Sequence, residues 1–536
     1  MTSAAHAVED APQLSLLDEA LIRYRRTGDR QTMHATLPEV LVALAADEVS
    51  DFPALRPHQR HPWHAFLCQL GALALHGADA AHPFDSPDQW RDALLALTPS
   101  DPDGAPWCLV APVDRPALLQ PPVPEGSTAN WKSTYRTADE LDMLVTSKNH
   151  DLKAARIAHG GAEHWLFALL SLQTQDGYPG SGNYGVSRMN GGSSSRPGVG
   201  IAPVGQLGKR WRRDTELLVA QRQQIAELNG LRAEGGLSLI WTVPWDGTTR
   251  LDFASLDPLY IEVCRRVRLC GSQGGLSAVS TTSRVSRVDS SARNGRTGDA
   301  WTPVNNAKGV SLTLGPSGFD YRLVAELVFG NKYTGGVAQS FSAIDALGRL
   351  QLVAQCIVRG QSTTEGYFER LVPLPQKVRT LLSAGHKDQL ARVSSERIAA
   401  ISAMRTLIWS ALITLFSNGA SSVAPNKAIE NRATRFCRPF EQIEDSRFFA
   451  DLFGELEAPD SHAARLGWLV ALAARAELVL RDAFAAGPRS AIQRYRAQSA
   501  ALSRFHGALR GEKSPLPQLA QHLRQKSTRT QEQAPS

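Results

Sequence analysis

From residue 377 onward the sequence falls into four long amphipathic segments, and no other feature limits the possible folds as strongly. The first covers 387–417 and closes on Asn418-Gly419; the second runs through "ATRFCRPFEQIEDSRFFADLFGEL". The third starts near Ser461, aligns Leu466, Leu469, Val470, Ala473, Ala476 and Leu480, and stops at Gly487-Pro488. The fourth begins near Ser490 and ends at Gly511. Apolar residues recurring every three or four positions bury one helix face, and the breakers fall where each stripe ends. Four such helices with modest connections make a four-helix bundle. We therefore expect a bundle over 377–520 and, because 521–536 is polar, a disordered tail.

The preceding 376 residues read differently. "LLDEALIRYR" suits a strand, "LPEVLVALAADE" an amphipathic helix, and "HPWHAFLCQLGALALHGA" a helix buried on most sides. Between 177 and 376, Gly/Ser/Thr-rich loops separate short β-prone runs such as "LSLIWTVPW" and "VSLTLG", with little helical periodicity. The expected class is α+β: a large mixed α/β N-terminal domain with long loops (1–376), then the bundle.

Composition narrows the function. A net charge of +6 suits a polyanionic partner. Six scattered cysteines, with only Cys264 and Cys270 close together, build no zinc ribbon and fit a reducing compartment. Residues 1–20 show no basic stretch followed by an apolar core, and runs such as "LIWSALITLF" are too short to span a bilayer. A soluble cytoplasmic protein without a membrane partner is expected.

Gly180, Gly182 and Gly185 have the G-x-G-x-x-G spacing of a dinucleotide turn. Such a turn needs a helix after it to carry the pyrophosphate and an acidic residue about 20 positions on. Here "VSRMNGGSSSRPG" cannot sustain a helix, and "IAPVGQLGKR" supplies no acid. Yet Tyr178, Tyr184, Arg188, Met189 and Asn190 are not linker residues, and glycines among them bring backbone close to a ligand. His58, His61 and His64 would share a helix face but lack a completing ligand set, so a helix entrance with partly exposed histidines is expected. The pair His150-Asp151 resembles the signature of metal-dependent HD hydrolases, without the further ligands such sites need. No catalytic constellation, metal site or cofactor site assembles. Basic clusters do: "GKRWRRD" (208–214), Arg284, Arg287, Arg293 and Arg296, and the arginines of the last bundle segment.

The order of these features resembles the large subunit (CasA) of type I-E CRISPR Cascade complexes over nearly the whole chain. "LLDEALIRYRRTGDRQTMHATLPEVL" resembles that family's opening strand, turn and helix, and "FPALRPHQRHPWHAFLCQLGALAL" its first buried helix. "TADELDMLVTSKNHDLKAAR" falls where the family has a loop touching the guide RNA, which implies guide contacts for Lys148, Asn149 and His150. The resemblance implies a non-catalytic subunit that recognises the protospacer-adjacent motif (PAM) in double-stranded DNA and helps open the duplex for the R-loop. Its implied partners are guide RNA, the other Cascade subunits, target DNA and a recruited helicase–nuclease.

Carried over by position, Gly180, Ser181, Gly182 and Asn183 match the glycine loop that approaches the PAM, with Arg188 and Asn190 available to brace it or touch phosphate. "VRGQSTTEGYFER" resembles the hairpin bearing a glutamine wedge, making Gln361 the wedge and Gly360 its neighbour. The family often has Asn where Gly360 stands, and its PAM-contacting lysine has no clear match; Arg287, Arg293 and Arg296 are candidates by region. Two other readings stay open on the residues alone. One is an enzyme using the glycine turn or His150-Asp151; the other is a general nucleic-acid scaffold.

Overall fold

A computed structural model of the chain describes residues 14–144, 160–272, 275–342, 345, 348–360, 363–420 and 426–532. Two compact units partition it: residues 1–319 with 331–374, and residues 320–330 with 375–536. The architecture is mixed α/β with helices at the C-terminal end, as the α+β expectation required.

The first unit opens with β1 (Ile22–Arg26), the centre of an antiparallel sheet between β2 (Thr32–Ala35) and β3 (Val49–Asp51). Helix α1 (Leu37–Ala45) starts at Thr36 through a reciprocal cap. The Thr36 hydroxyl accepts from the Glu39 amide at 3.3 Å, and the Glu39 carboxylate accepts from the Thr36 amide at 2.7 Å. Helix α2 (Arg60–Gly77) buries every residue from His61 to Leu75, which is why its sequence is apolar all round. After α3 (Pro87–Ala96) come β4 (Ser133–Tyr135), α4 (Ala162–Gln175) and β5 (Gly198–Pro203).

Two findings depart from the sequence reading. The histidines at the start of α2 are buried rather than partly exposed. His58 Nε2 donates to the Asp142 carboxylate at 2.9 Å, and His64 Nε2 lies 2.8 Å from Asp214 Oδ2. His61 packs so closely on Gly198 that a Cβ there would fall 2.4 Å from the ring. The second departure is helix α5 (Leu207–Asn229), which lies in a region with little apparent helical period. Its buried stripe includes Asp214, Thr215 and Arg222 among Trp211, Leu218 and Ile225, so polar side chains stand at core positions. Gly71 of α2 admits the Trp211 ring: a Cβ there would sit 2.9 Å from Trp211 Cζ2. "GKRWRRD" therefore lies in the first two turns of a packed helix. Arg213 is buried and bonds both Asp345 oxygens at 2.7 and 2.9 Å.

The rest of the unit is β-rich. β6 (Leu256–Ile261) is buried throughout; β7 (Arg266–Ser272) and β8 (Gly275–Thr281) pair antiparallel, with β4 on the far side of β8. A long hairpin of β9 (Leu350–Gly360) and β10 (Thr363–Leu374) joins β5 in a three-stranded antiparallel sheet. The chain leaves this unit after Phe319 to contribute α6 (Tyr321–Phe329) to the second, a segment that the sequence reading places in the N-terminal domain.

The second unit holds α6, α7 (Gln376–Ser383) and four long helices: α8 (Lys387–Phe416), α9 (Lys427–Glu457), α10 (Ser461–Asp482) and α11 (Ala491–Arg510). Asn426 caps α9, and Asp460 caps α10 by accepting from the amides of His462 and Ala463 at 3.0 Å. The buried stripe of α10 is Trp468, Leu469, Leu472, Ala476, Val479 and Leu480; Val470, expected inside, is exposed. Tyr321 of α6 stacks on Phe448 at 4.8 Å, and its amide donates to Asp445 at 2.6 Å. Helix α8 contains a window of mean hydropathy 1.7, apolar and long enough by composition to cross a membrane. In the bundle its Ile401, Met404, Ile408, Leu412 and Leu415 are core residues. Of the segment expected as a tail, residues 521–532 belong to helix α12 (Pro517–Glu532), which buries Leu519 and Ala520 near its start.

One network in the first unit has a pH signature. Asp214 Oδ1 accepts from Arg213 at 2.8 Å, while its Oδ2 takes His64 at 2.8 Å and Trp301 Nε1 at 3.3 Å. Burial pulls the His64 imidazole from 6.5 down to about 4; Arg210 acts the same way, against Asp214. The folded protein thus keeps His64 neutral while the unfolded chain protonates it below pH 6.5. Stability from this group falls between pH 6.5 and about 4, by about 2 kcal/mol at pH 5. His64→Gln, which cannot titrate, should lose correspondingly less on going from pH 7 to pH 5 in denaturant unfolding; parallel profiles for variant and wild type would refute this.

Candidate nucleic-acid interface

The glycine segment begins where α4 ends. Asp176 terminates the helix in extended conformation, and the chain turns through residues 177–192. Within it Asn183 donates its amide to Gly180 O at 3.0 Å, closing a tight turn over Gly180–Asn183. Ser181 is exposed at the tip. Gly182 has φ +78°, and a Cβ there would lie 2.6 Å from Thr282 Cβ, so the position requires glycine. Gly185 is needed for a different reason: its Cβ would fall 2.7 Å from the Gly177 carbonyl carbon, where the segment folds back on itself. No helix follows: the next helix, α5, starts at Leu207. The pyrophosphate seat of a dinucleotide turn is therefore missing.

The segment containing Arg284–Arg296 lies alongside. Ser283 donates its amide to Gly182 O at 2.9 Å, and Tyr184 donates its hydroxyl to Arg284 O at 2.8 Å. At the other end Gly295 sits so close to Met189 that a Cβ would fall 2.8 Å from its carbonyl carbon. Between the two segments runs a cleft of about 310 Å³, walled by Tyr178, Tyr184, Asn190, Ser290 and Asn294, with Glu262 at its base. Tyr178 is exposed and 5.9 Å from Tyr184 between ring centroids.

The arginines divide sharply by environment. Arg188 is buried; its guanidinium lies 3.9 Å over the Tyr260 ring and donates to Tyr260 O at 2.8 Å. It braces the loop from behind and is not available to phosphate, which corrects that half of its expected role. Arg287 is likewise buried, donating to Val243 O at 2.8 Å over Trp245, and burial brings its pKa down to about 10. A surface contact for Arg287 is excluded by packing. Arg293 is half-buried on Phe253, 3.8 Å from the ring centroid, while Arg296 is exposed. Arg284, in the same basic run, is exposed beside the glycine turn. Asn190 is half-buried in the cleft wall.

The hairpin candidate ends close by. Gly360 pairs with Thr363, and a register shift at Val358/Arg359 bulges β10 at Glu365. Gln361 lies outside the described residues, as do Lys148, Asn149 and His150 with Asp151. The stretch leading to the latter is tied to the hairpin: Thr364 Oγ1 donates to Leu144 O at 3.1 Å. Ser193–Ser195, which continue the glycine segment, run beside β9. The Ser195 amide donates to Ile357 O at 2.9 Å, and the Ile357 amide to Ser195 Oγ at 2.7 Å. Sequence reading missed the residues that join loop and hairpin, Asp176, Arg265 and Arg359, because nothing in their spacing marks them.

Among the described residues, His64, Cys68 and Asp214 bring potential metal ligands within 4.8 Å of one another. Asp214 is already shared by Arg213, His64 and Trp301. That chemistry is a hydrogen-bonded core, and it does not fit a cation.

No protein-family model matches the chain. No curated protein sequence matches it either. Solved structures do. CasA of Thermus thermophilus aligns with TM-score 0.61 at 16% identity, covering 92% of this chain and 99% of that one. The CRISPR-associated protein Cse1 of Acidimicrobium ferrooxidans aligns with TM-score 0.61 at 16% identity, over 96% and 99%. Cse1 of Thermobifida fusca gives TM-score 0.60 at 14% identity, over 95% and 98%. At these identities the likeness is one of backbone architecture, and it spans both units: the fold of this chain is that of CasA (Cse1).

Proposed function

We propose that this protein is the non-catalytic large subunit of a type I-E Cascade complex, reading the PAM in duplex DNA through its glycine turn. It would act in the cytoplasm with guide RNA and the other Cascade subunits, help open the duplex for R-loop formation, and recruit the helicase–nuclease. The observation that carries this reading is the Gly180–Asn183 turn: backbone with small side chains, one of them exposed at its tip, beside the exposed cation Arg284. A minor groove is about 6 Å wide, so backbone enters it only where side chains are small. The groove tells mainly A·T from G·C, which makes such a reader tolerant of several PAM sequences. Arg284 and Arg296 supply phosphate contacts that position without specifying. Gln361, placed by sequence between the strands of the hairpin, is the candidate wedge; separating a base step costs a few kcal/mol, offset by contacts to the opened strands.

Three sets of variants test the reading, each on the assembled complex, with the PAM first identified from a duplex library with randomised flanks. Ser181→Trp and Ser181→Tyr each add bulk at the exposed tip of the turn without touching the glycines, whose positive φ would make a substitution strain the backbone. Either variant should weaken PAM-dependent capture by about tenfold, or about 1.4 kcal/mol; unchanged capture counts against groove reading. Gln361→Ala should slow opening of an intact duplex while sparing a pre-opened one, and equal loss on both removes the wedge role. Arg284→Ala and Arg296→Ala should each weaken binding to all flanks alike and lower the salt slope by about one. A flank-specific loss would instead make either residue a base reader.

A further inference from the structure

Between the glycine turn and the hairpin lies a single carboxylate shared by two arginines. Asp176 ends α4 and is 2% exposed. Its Oδ2 accepts from Arg265 Nη2 at 2.7 Å and its Oδ1 from Arg359 Nη1 at 2.7 Å. One guanidinium reaches the glycine segment and the other belongs to the hairpin. Arg265 also donates to the carbonyl of Gly177 at 2.8 Å and to that of Tyr184, on either side of the glycine turn. Arg359 stands at the bulge two residues before Gln361, and its side chain is 7% exposed. Its backbone is held too, with Ser193 Oγ donating to Arg359 O at 3.2 Å. A cleft of about 220 Å³ opens over this bridge, lined by Asp176, Arg265, Arg359, Asn183 and Pro179.

The geometry points to Asp176 as a positioning residue that couples the glycine turn to the hairpin, so that engagement of the PAM backbone is transmitted to the wedge. This inference rests on the PAM-reading assignment above. A displacement of Gly177 or Tyr184 moves Arg265, and Arg265 cannot move without straining or releasing the Asp176 carboxylate. That carboxylate holds the Arg359 side chain, and with it the hairpin next to its tip. A buried ion pair resists small displacements and reorganises in steps, which suits a relay between two discrete arrangements. Neither arginine is needed at the DNA surface for this. The proposed DNA contacts remain the turn in the groove and Arg284 and Arg296 on phosphates.

The test uses the full complex with three readouts: capture of an intact PAM duplex, binding to DNA already opened beside the PAM, and the opening rate with and without a PAM, followed by a fluorescent base analogue. Asp176→Asn keeps the shape but can accept from only one arginine; Arg359→Gln cuts the hairpin side alone. Both variants should capture PAM duplex and bind pre-opened DNA as wild type does, yet lose PAM acceleration of opening by roughly 5- to 10-fold. Because they break the same link, the double variant should be no worse than the worse single one. Opening at the wild-type rate, or an equal fall in all three readouts, overturns the coupling and leaves the ion pair as scaffolding. A wild-type complex without PAM-dependent capture instead removes the groove-reading assignment, and the coupling with it.

Discussion

Arg268 donates to four backbone carbonyls, those of Ala111, Pro112, Arg115 and Gln120, at 2.7 to 3.0 Å. The segment it gathers has no regular ladder of its own, and a carbonyl buried without a partner costs as much as a lost hydrogen bond. One guanidinium with five donors satisfies four such groups at once. The same device recurs through the first unit: Arg213 bonds the Ala338 carbonyl and Asp345, and Arg222 pairs Asp257 while reaching Ala233 O. Arg265 binds Asp176 and the glycine turn. Long loops can lie inside this unit because arginines, and not strands, satisfy their backbone.

This choice has an energetic consequence. Desolvating a guanidinium is expensive, and Arg268 shows it, its pKa drawn down to about 10 by burial. Where a carboxylate stands opposite, as for Arg196 with Asp299 or Arg265 with Asp176, the pair recovers much of that cost without being strongly stabilising in net terms. What such pairs supply is geometry. A planar fork fixes direction as well as distance, which a lysine would not. The loops that carry the candidate DNA contacts are thereby held in place by charges that solvent and salt barely reach.

The same arginines explain where the sequence misleads. Helical stripes with apolar content were legible: α2 and the four long helices stand where their periodicity and caps put them. Helix α5 and the true role of "GKRWRRD" were not, because Arg213, Asp214 and Arg222 occupy core positions that a hydrophobic pattern scores as surface. Arg188 and Arg287 failed as surface contacts for the same reason. The glycine turn was legible in part: context excluded a dinucleotide seat. The reason Gly182 must be glycine, the contact with Thr282 from a segment 100 residues on, is a tertiary fact. Asp176 gave no signal at all, since its partners lie 89 and 183 residues away.

A net charge of +6 therefore says less about the surface than its size suggests. Many of the cations are interior, each bound to a carboxylate, a ring face or a carbonyl, and they offer no guanidinium to a phosphate at the surface. Among the described arginines of the 284–296 segment, Arg284 and Arg296 are the ones left exposed. A surface of this kind provides weak non-specific attraction, since each phosphate contact adds only one released counterion to the salt slope. The PAM reader proposed above, sampling many duplexes and releasing those without the right flank, would benefit from that weakness. On the proposed function, residence is then decided by the fit of the turn's backbone in the groove.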